Sequence, residues 1–356
     1  MDHAPVLLAL SLDAVLRDGL TTGTLLDVPG ALAVRYDVDE RAGVLDRAVL
    51  DVGGALDTAR IPLDDGCVAC TLRSDLLPTL RRLACRRPAA VVLAPPPTTE
   101  PAPLLAMLAD TPAGLRAGAV LVAAHAGGLE VDLLDDALLV EAGLARSPDD
   151  RRAVGEVLAH QLEAADAVLL DTAPAPPAGT LLRHLVPAAT TVGVLHETSP
   201  ADLLAVRRPA DDPRGDLRRP SPTGAADADG VWTLDLSSWR PLHPARFLDV
   251  LEDLGGGRLR GRGRFWLPSR PFDLAGWDGA GGQVQVGPLG SWARPGGPGH
   301  ASTRLVVTGL GGDPARVTAA FDRALVTDAE LVRGTATWQL PFDGLEPWLG
   351  PLRASA

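Results

Sequence analysis

Two of the chain's three cysteines, Cys67 and Cys70, stand in one short stretch, Gly66-Cys67-Val68-Ala69-Cys70-Thr71-Leu72-Arg73. Thiols at this spacing can hold one soft metal ion or close a disulfide. Zn²⁺ takes sulfur and nitrogen ligands in a tetrahedron, so two cysteines supply half a site. A histidine, Asp65 or a second chain would have to supply the rest. The opposing reading is a pair of buried, inert thiols, because free cysteine packs as a small apolar side chain. A redox role ranks third, since no thioredoxin-like strand–helix context precedes the pair. Cys85 falls in a helical stretch between Arg pairs and reads as structural.

Charge offers a second candidate. Arg258, Arg260, Arg262 and Arg264 alternate with Leu259, Gly261, Gly263 and Phe265. In a strand, four guanidinium groups at this spacing share one face. Such a stripe could contact the phosphates of an RNA. The plainer reading, which we favour, is a solvated face or a set of ion pairs. Arg81, Arg82, Arg86 and Arg87 form a second cluster with the same two readings. His243 opens a helix and reads as a local hydrogen-bonding residue. No Ser-His-Asp set and no converging carboxylate pair is recognisable, so no catalytic residue is named.

The elements that must position these residues alternate. Residues 5–10, 30–36, 89–93, 118–124, 167–171 and 190–195 read as strands, with short strands expected at 48–52 and near Ile61. Residues 13–26, 76–85, 100–108 and 149–165 read as helices. Strands alternating with helices predict a doubly wound, mostly parallel α/β sheet over residues 1–198. Residues 199–229 are rich in Pro, Asp and Arg and read as an exposed linker. Residues 230–356 form a smaller α+β unit around an antiparallel sheet. Its strands are expected at 231–236, 258–267, 283–286 and 304–309, and its helices at 243–254 and 313–325.

Composition narrows the function classes. The chain has 356 residues, is 46% hydrophobic and only 4% aromatic, and carries a net charge of −12. Such a charge repels nucleic acid and anionic lipid on average. The chain contains no lysine and no asparagine; every one of its 33 basic residues is arginine. Three cysteines and an acidic, unsignalled start point to a reducing cytoplasm. No apolar run reaches the roughly 20 residues that cross a bilayer.

The first strand leads into a helix at the place where a phosphate-binding loop would sit. That loop needs glycines, a Lys for the phosphates and Ser or Thr for Mg²⁺. Here the junction reads Ser11-Leu12-Asp13-Ala14-Val15-Leu16-Arg17-Asp18, with no glycine before Gly19 and with Asp13 set to repel a phosphate. The Asn-Lys-x-Asp that reads guanine is replaced, after Val168-Leu169-Leu170, by Asp171-Thr172-Ala173-Pro174. GTP and Mg²⁺ are therefore not expected as cofactors.

Several segments nevertheless resemble the CobW-type GTPase family, whose members are tied to zinc and cobalt handling. Gly66 to Arg73 resembles its metal motif, with Ala69 in place of a third cysteine. Glu100-Pro101-Ala102-Pro103 is similar to the segment after its acidic loop, although Ala94 to Thr99 depart from that loop. Residues 161–170, 243–247, 264–267, 281–283 and 325–331 also match. The resemblance implies a nucleotide-binding-type first domain with a decayed phosphate loop and a CobW C-terminal domain. The run Asp75-Leu76-Leu77-Pro78 and the altered first junction are similar to the branch that recruits a ribosome hibernation factor under zinc limitation in high-GC bacteria. That likeness implies a zinc-responsive, non-enzymatic adaptor, with zinc on Cys67 and Cys70 and a ribosome or hibernation factor as partner. The alternative implied by the wider family is a GTP-dependent zinc or cobalt metallochaperone, which would need Arg17 or another Arg to replace the missing Lys.

Overall fold

The computed structural model describes residues 3–145, 147, 149–209, 212–293, 299–334, 338 and 341–352. The chain divides into two units. The first comprises Met1–Leu129, Leu138–Ala178 and Val186–Arg214; the second comprises Glu130–Ala137, Gly179–Leu185 and Gly215–Ala356.

In chain order the first unit runs β1 (Ala4–Leu10), α1 (Ala14–Asp27), β2 (Leu32–Asp39), β3 (Val44–Asp51), β4 (Gly54–Pro62), α2 (Val68–Ala84), β5 (Val91–Ala94), α3 (Pro101–Leu108) and β6 (Leu115–Ala124). After α4 (Leu129–Leu134), most of which belongs to the second unit, come α5 (Val154–Glu163) and β7 (Ala167–Leu170). Then α6 (Ala178–Leu185), again mostly of the second unit, precedes β8 (Thr191–Val194). The strands form one eight-stranded sheet in the order β4-β3-β2-β5-β1-β6-β7-β8. Pairing is parallel from β2 through β8 and antiparallel at β2–β3 and β3–β4. The fold class is the expected one.

The reason lies in the apolar strings. Every residue of β5 and β7 is buried, and so is β1 from Pro5 onward. A strand buried on both faces reads as a continuous apolar run, as parallel strands under helices do. Leu20, Leu25 and Val28 of the α1 region pack into one cluster with Leu7, Ala9, Val92 and Leu121 of the sheet.

Two strands are longer than the sequence suggests. β3 and β4 form a hairpin with Val52 and Gly53 at its turn. Arg47 on the buried side of β3 breaks the apolar alternation that would have marked the strand. Its charge is met by Asp57 at 2.6 Å and Asp75 at 2.9 Å, with Thr79 at 3.1 Å. The helix α2 also starts eight residues earlier than read, at Val68, and continues through Pro78.

Residues 199–229 are not one free linker. Through Arg214 they belong to the first unit. Asp166, between α5 and β7, accepts Val120 N at 2.8 Å and pairs with both Arg208 (2.9 Å) and Arg214 (2.5 Å). Leu203 and Pro200 are buried. Composition signalled exposure, but long-range ion pairs anchor the segment.

The second unit contains β9 (Val231–Ser238), α7 (Pro244–Asp249), α8 (Leu251–Gly255), β10 (Leu259–Phe265), β11 (Asp273–Ala280), β12 (Gln283–Ser291), β13 (Thr303–Leu310) and α9 (Pro314–Ala324). Its sheet is antiparallel, ordered β12-β11-β10-β13-β9. β11 was invisible in the sequence: Asp-Leu-Ala-Gly-Trp-Asp-Gly-Ala has poor strand propensity, and pairing on both sides makes it a strand. Phe247, Phe265 and Trp277 form an aromatic centre, with Phe247 4.7 Å from Phe265 and 5.8 Å from Trp277 between ring centroids.

Glycines on β10 allow this packing. A Cβ on Gly261 would lie 2.8 Å from Trp277 Nε1, and one on Gly263 would lie 2.1 Å from the carbonyl oxygen of Arg304. The second contact is with backbone, which cannot rotate away. Gly263→Ala is therefore expected to destabilise the second unit by about 1–3 kcal/mol, the usual range for overpacking. Thermal or urea unfolding of the full chain checks this; an unchanged midpoint would show that the sheet yields there.

Candidate metal centre and phosphate cleft

The cysteine pair is presented by a turn. Asp65 (φ 46°) and Gly66 (φ 73°) both lie in the left-handed region, a conformation that costs glycine little. Cys67 N donates to Asp64 O at 2.7 Å, closing the turn. Thr71 ties it to the helix: its Oγ1 accepts Asp64 N and donates to Cys67 O, each at 2.9 Å.

Cys67 is the N-cap of α2, where a side-chain acceptor ordinarily satisfies a free helical N–H. Its Sγ accepts Cys70 N at 3.2 Å and lies 2.7 Å from Cys70 Sγ. The hydrogen bond from the Cys70 side chain pulls the Cys67 thiol below its ordinary pKa, and the same bond pushes Cys70 up. Cys67 is half-buried and Cys70 exposed, so the reading of a buried, inert pair does not hold. Among the described residues, no third His, Cys, Asp or Glu atom forms a ligand cluster with these two sulfurs. Asp65 does not complete the set. Cys85 is exposed at the end of α2.

The phosphate cleft is filled from within. Asp13 is the N-cap of α1, and its Oδ1 accepts Val15 N at 2.6 Å and Leu16 N at 3.0 Å. Those are the amides that a bound phosphate would use at a helix N-terminus. Ser11 Oγ accepts Asp13 N at 3.0 Å and holds the cap in place. Beyond it, His125 Nε2 lies 3.4 Å from Asp13 Oδ2, and His125 Nδ1 lies 2.8 Å from Asp171 Oδ2. Asp171 Oδ1 accepts Ala126 N and Thr172 N. This Asp–His–Asp bridge crosses the carboxyl ends of β1, β6 and β7, where ligands bind in open α/β sheets. Asp13 and Asp171 were legible only as failed nucleotide motifs, and His125 carried no sequence signal that linked it to either.

Arg17, the residue that a GTP-dependent reading would put in place of the missing Lys, is engaged inside the first unit. It is almost wholly buried. It donates to Tyr36 O (3.1 Å) and Pro95 O (2.9 Å), and pairs with Asp18 and Asp37.

A third cluster went unnoticed in the sequence. Glu100, Glu156 and His160 each bring one ligand atom within 4.8 Å of the others. Glu156 and His160 are one helical turn apart on α5, a spacing that could have flagged them. The proximity of His160, helped by Arg152, holds Glu100 down to about 2.

In the second unit the Arg stripe is engaged internally. Arg260 is buried and paired with Asp278. Arg258 pairs with Asp135 at 3.3 Å; Arg262 and Arg264 donate to the carbonyls of Ser221 and Arg218. The stripe is not one solvated face: of β10's arginines, Arg262 and Arg264 are partly exposed while Arg260 is buried. His243 is the N-cap of α7, accepting Arg246 N at 3.5 Å.

Asp171 raises the pKa of His125 above 6.5. A raised folded value means the bridge contributes its full stability below pH ~6.5 and loses it as pH climbs through the folded pKa. The stability difference between the native chain and His125→Gln should thus shrink above pH 6.5. Melting curves across pH, with an NMR titration of His125, test this; a His125 pKa at or below 6.5 would refute it. Asp13→Ala should cost about 1 kcal/mol through loss of the cap, read by urea unfolding.

Residues 231–325 match the family described as the cobalamin synthesis protein cobW C-terminal domain. The chain is 29% identical over 371 residues to "Zinc chaperone Rv0106" of Mycobacterium tuberculosis, covering 92% of this chain and 89% of that one. "Uncharacterized protein Mb0109" of Mycobacterium bovis matches with the same identity and coverage. Among solved structures, the Zn(II)-bound YjiA GTPase from E. coli has a TM-score of 0.40 at 14% identity, covering 92% of this chain and 100% of that one. No helix among the described residues is long and apolar enough to cross a membrane. The C-terminal region is thus similar to that of CobW-type proteins, and most of the chain is similar to a mycobacterial protein described as a zinc chaperone.

Proposed function

We propose that this protein is a zinc metallochaperone of CobW type that carries Zn²⁺ on Cys67 and Cys70 and hands it on without gripping a nucleotide at α1. The carrying observation is the accessible sulfur pair at the head of α2, Cys67 half-buried and Cys70 exposed, with no third ligand clustered beside it among the described residues. Two thiolates leave half of a zinc tetrahedron for water or for the ligands of a recipient. A closed four-ligand site holds its metal for structure; an open one lets ligands exchange. The relative described as a zinc chaperone aligns over 92% of this chain, which favours metal handling over recruitment of a ribosome hibernation factor.

The nucleotide-free part rests on Asp13, whose carboxylate satisfies the amides at the head of α1, and on Arg17, which is committed elsewhere.

Zinc titration against a chromophoric competitor tests the first part. Cys67→Ser and Cys70→Ser should each weaken binding at least about tenfold, since an alcohol is a far poorer zinc ligand than a thiolate. Affinity should fall as pH drops, because the proton competes with the metal for each sulfur. Unaltered zinc affinity in the double variant would remove the cysteine pair from the function. Addition of GTP and Mg²⁺ should leave zinc transfer to an acceptor unchanged; an acceleration would restore the GTP-dependent reading.

A further inference from the structure

We propose that Glu100, Glu156 and His160 form a second divalent-metal site in the first unit, built from nitrogen and oxygen and separate from the cysteine pair. Their ligand atoms already lie within 4.8 Å of one another. A zinc ion with bonds of about 2.0–2.2 Å sets its ligands roughly 3.4 Å apart. The three groups need to draw together by little more than an ångström, which side-chain torsions of two glutamates can supply.

The scaffold limits how those groups can turn. Glu156 and His160 sit one turn apart on α5 and point the same way from one helix. Glu100 comes from the segment between β5 and α3. Arg152 Nη1 binds Glu100 Oε1 at 2.9 Å, which leaves Oε2 facing His160 Nδ1 at 3.6 Å. Asp150 in turn takes the other edge of the Arg152 fork. Glu100 and Asp150 thus share one guanidinium, and Glu156 adds a further carboxylate to the cluster.

A second observation points to a ligand. Gln161, the next residue along α5, is fully buried. Its Nε2 donates to Thr99 O, one residue before Glu100, while its Oε1 has no hydrogen-bond partner. A buried acceptor left unsatisfied is costly. A water bound to the metal would be the donor that this oxygen lacks. Two carboxylates and one imidazole make an open set, and such ligands suit Zn²⁺ and neighbouring transition metals rather than Mg²⁺ or Ca²⁺ alone.

The test uses the full chain carrying Cys67→Ser and Cys70→Ser, titrated with Zn²⁺ and, separately, with Co²⁺. The proposal expects one equivalent bound, with cobalt absorption lacking a sulfur charge-transfer band. Adding His160→Ala should weaken that equivalent at least about tenfold, as should the near-isosteric Glu156→Gln, with circular dichroism reporting that each variant is folded. No zinc on the chain carrying both serines, or zinc unaffected by both added changes, overturns the proposal. His160→Ala in the cysteine-containing chain should leave the sulfur-bound equivalent in place, so this site and the cysteine pair succeed or fail separately.

Discussion

The first N–H groups of α1 have no partner inside the helix and must be satisfied from outside. They sit at the carboxyl end of the central strand β1, the place in such a sheet where an anion would ordinarily meet them. In this chain a carboxylate three residues after β1 meets them instead. Asp13 accepts two of these N–H groups and is itself held by Ser11 and approached by His125. Two of these amides are therefore satisfied within the protein, and neighbouring polar groups gather around the same carboxylate. His125 links the cap to Asp171, so the ends of three parallel strands are joined by side chains of the protein itself.

The absence of lysine has a structural counterpart. Arginine's planar fork can bind two acceptors at once, which suits buried junctions better than a point charge does. Arg47 holds β3 to β4 and to α2. Arg208 and Arg214 converge on Asp166. In the second unit, Arg260 and Arg270 pair with Asp278 and Asp343, all of them largely buried. Buried pairs of this kind add little net stability against an apolar alternative, but losing one partner leaves a stranded charge. Many of the guanidinium groups thus serve as internal fastenings. An acidic exterior follows, consistent with a chain of net charge −12.

The two candidate metal sites differ in the chemistry they offer. The sulfur pair lies at the surface, at the head of a helix, with its geometry held by backbone: the Asp64–Cys67 turn and the Cys70 amide. The Glu–Glu–His cluster is more enclosed and is held by side chains, through Arg152 and the packing of α5. Soft sulfur and harder oxygen–nitrogen sets bind the same ion with different exchange behaviour. A carrier that has both would have one place for the metal to enter or leave and another, less accessible, for it to rest.

Local pattern alone determined a good part of this protein. The apolar strings of β1, β5, β6 and β7, alternating with helical segments, announced a covered parallel sheet. The Cys67–Cys70 spacing and the missing lysine were equally plain, since identity and spacing are properties of the chain itself. What the sequence could not carry was anything made by residues far apart in it. Arg47 disguised β3, the glycine-rich β11 gained its form from neighbours on both sides, and Asp166 anchored a segment whose composition suggested a free linker. Asp13, His125 and Asp171 meet across 158 positions, as do Glu100 and His160 across a smaller gap. Side chains so separated are brought together only when the sheet places its strands side by side, and no periodicity in the sequence records that placement.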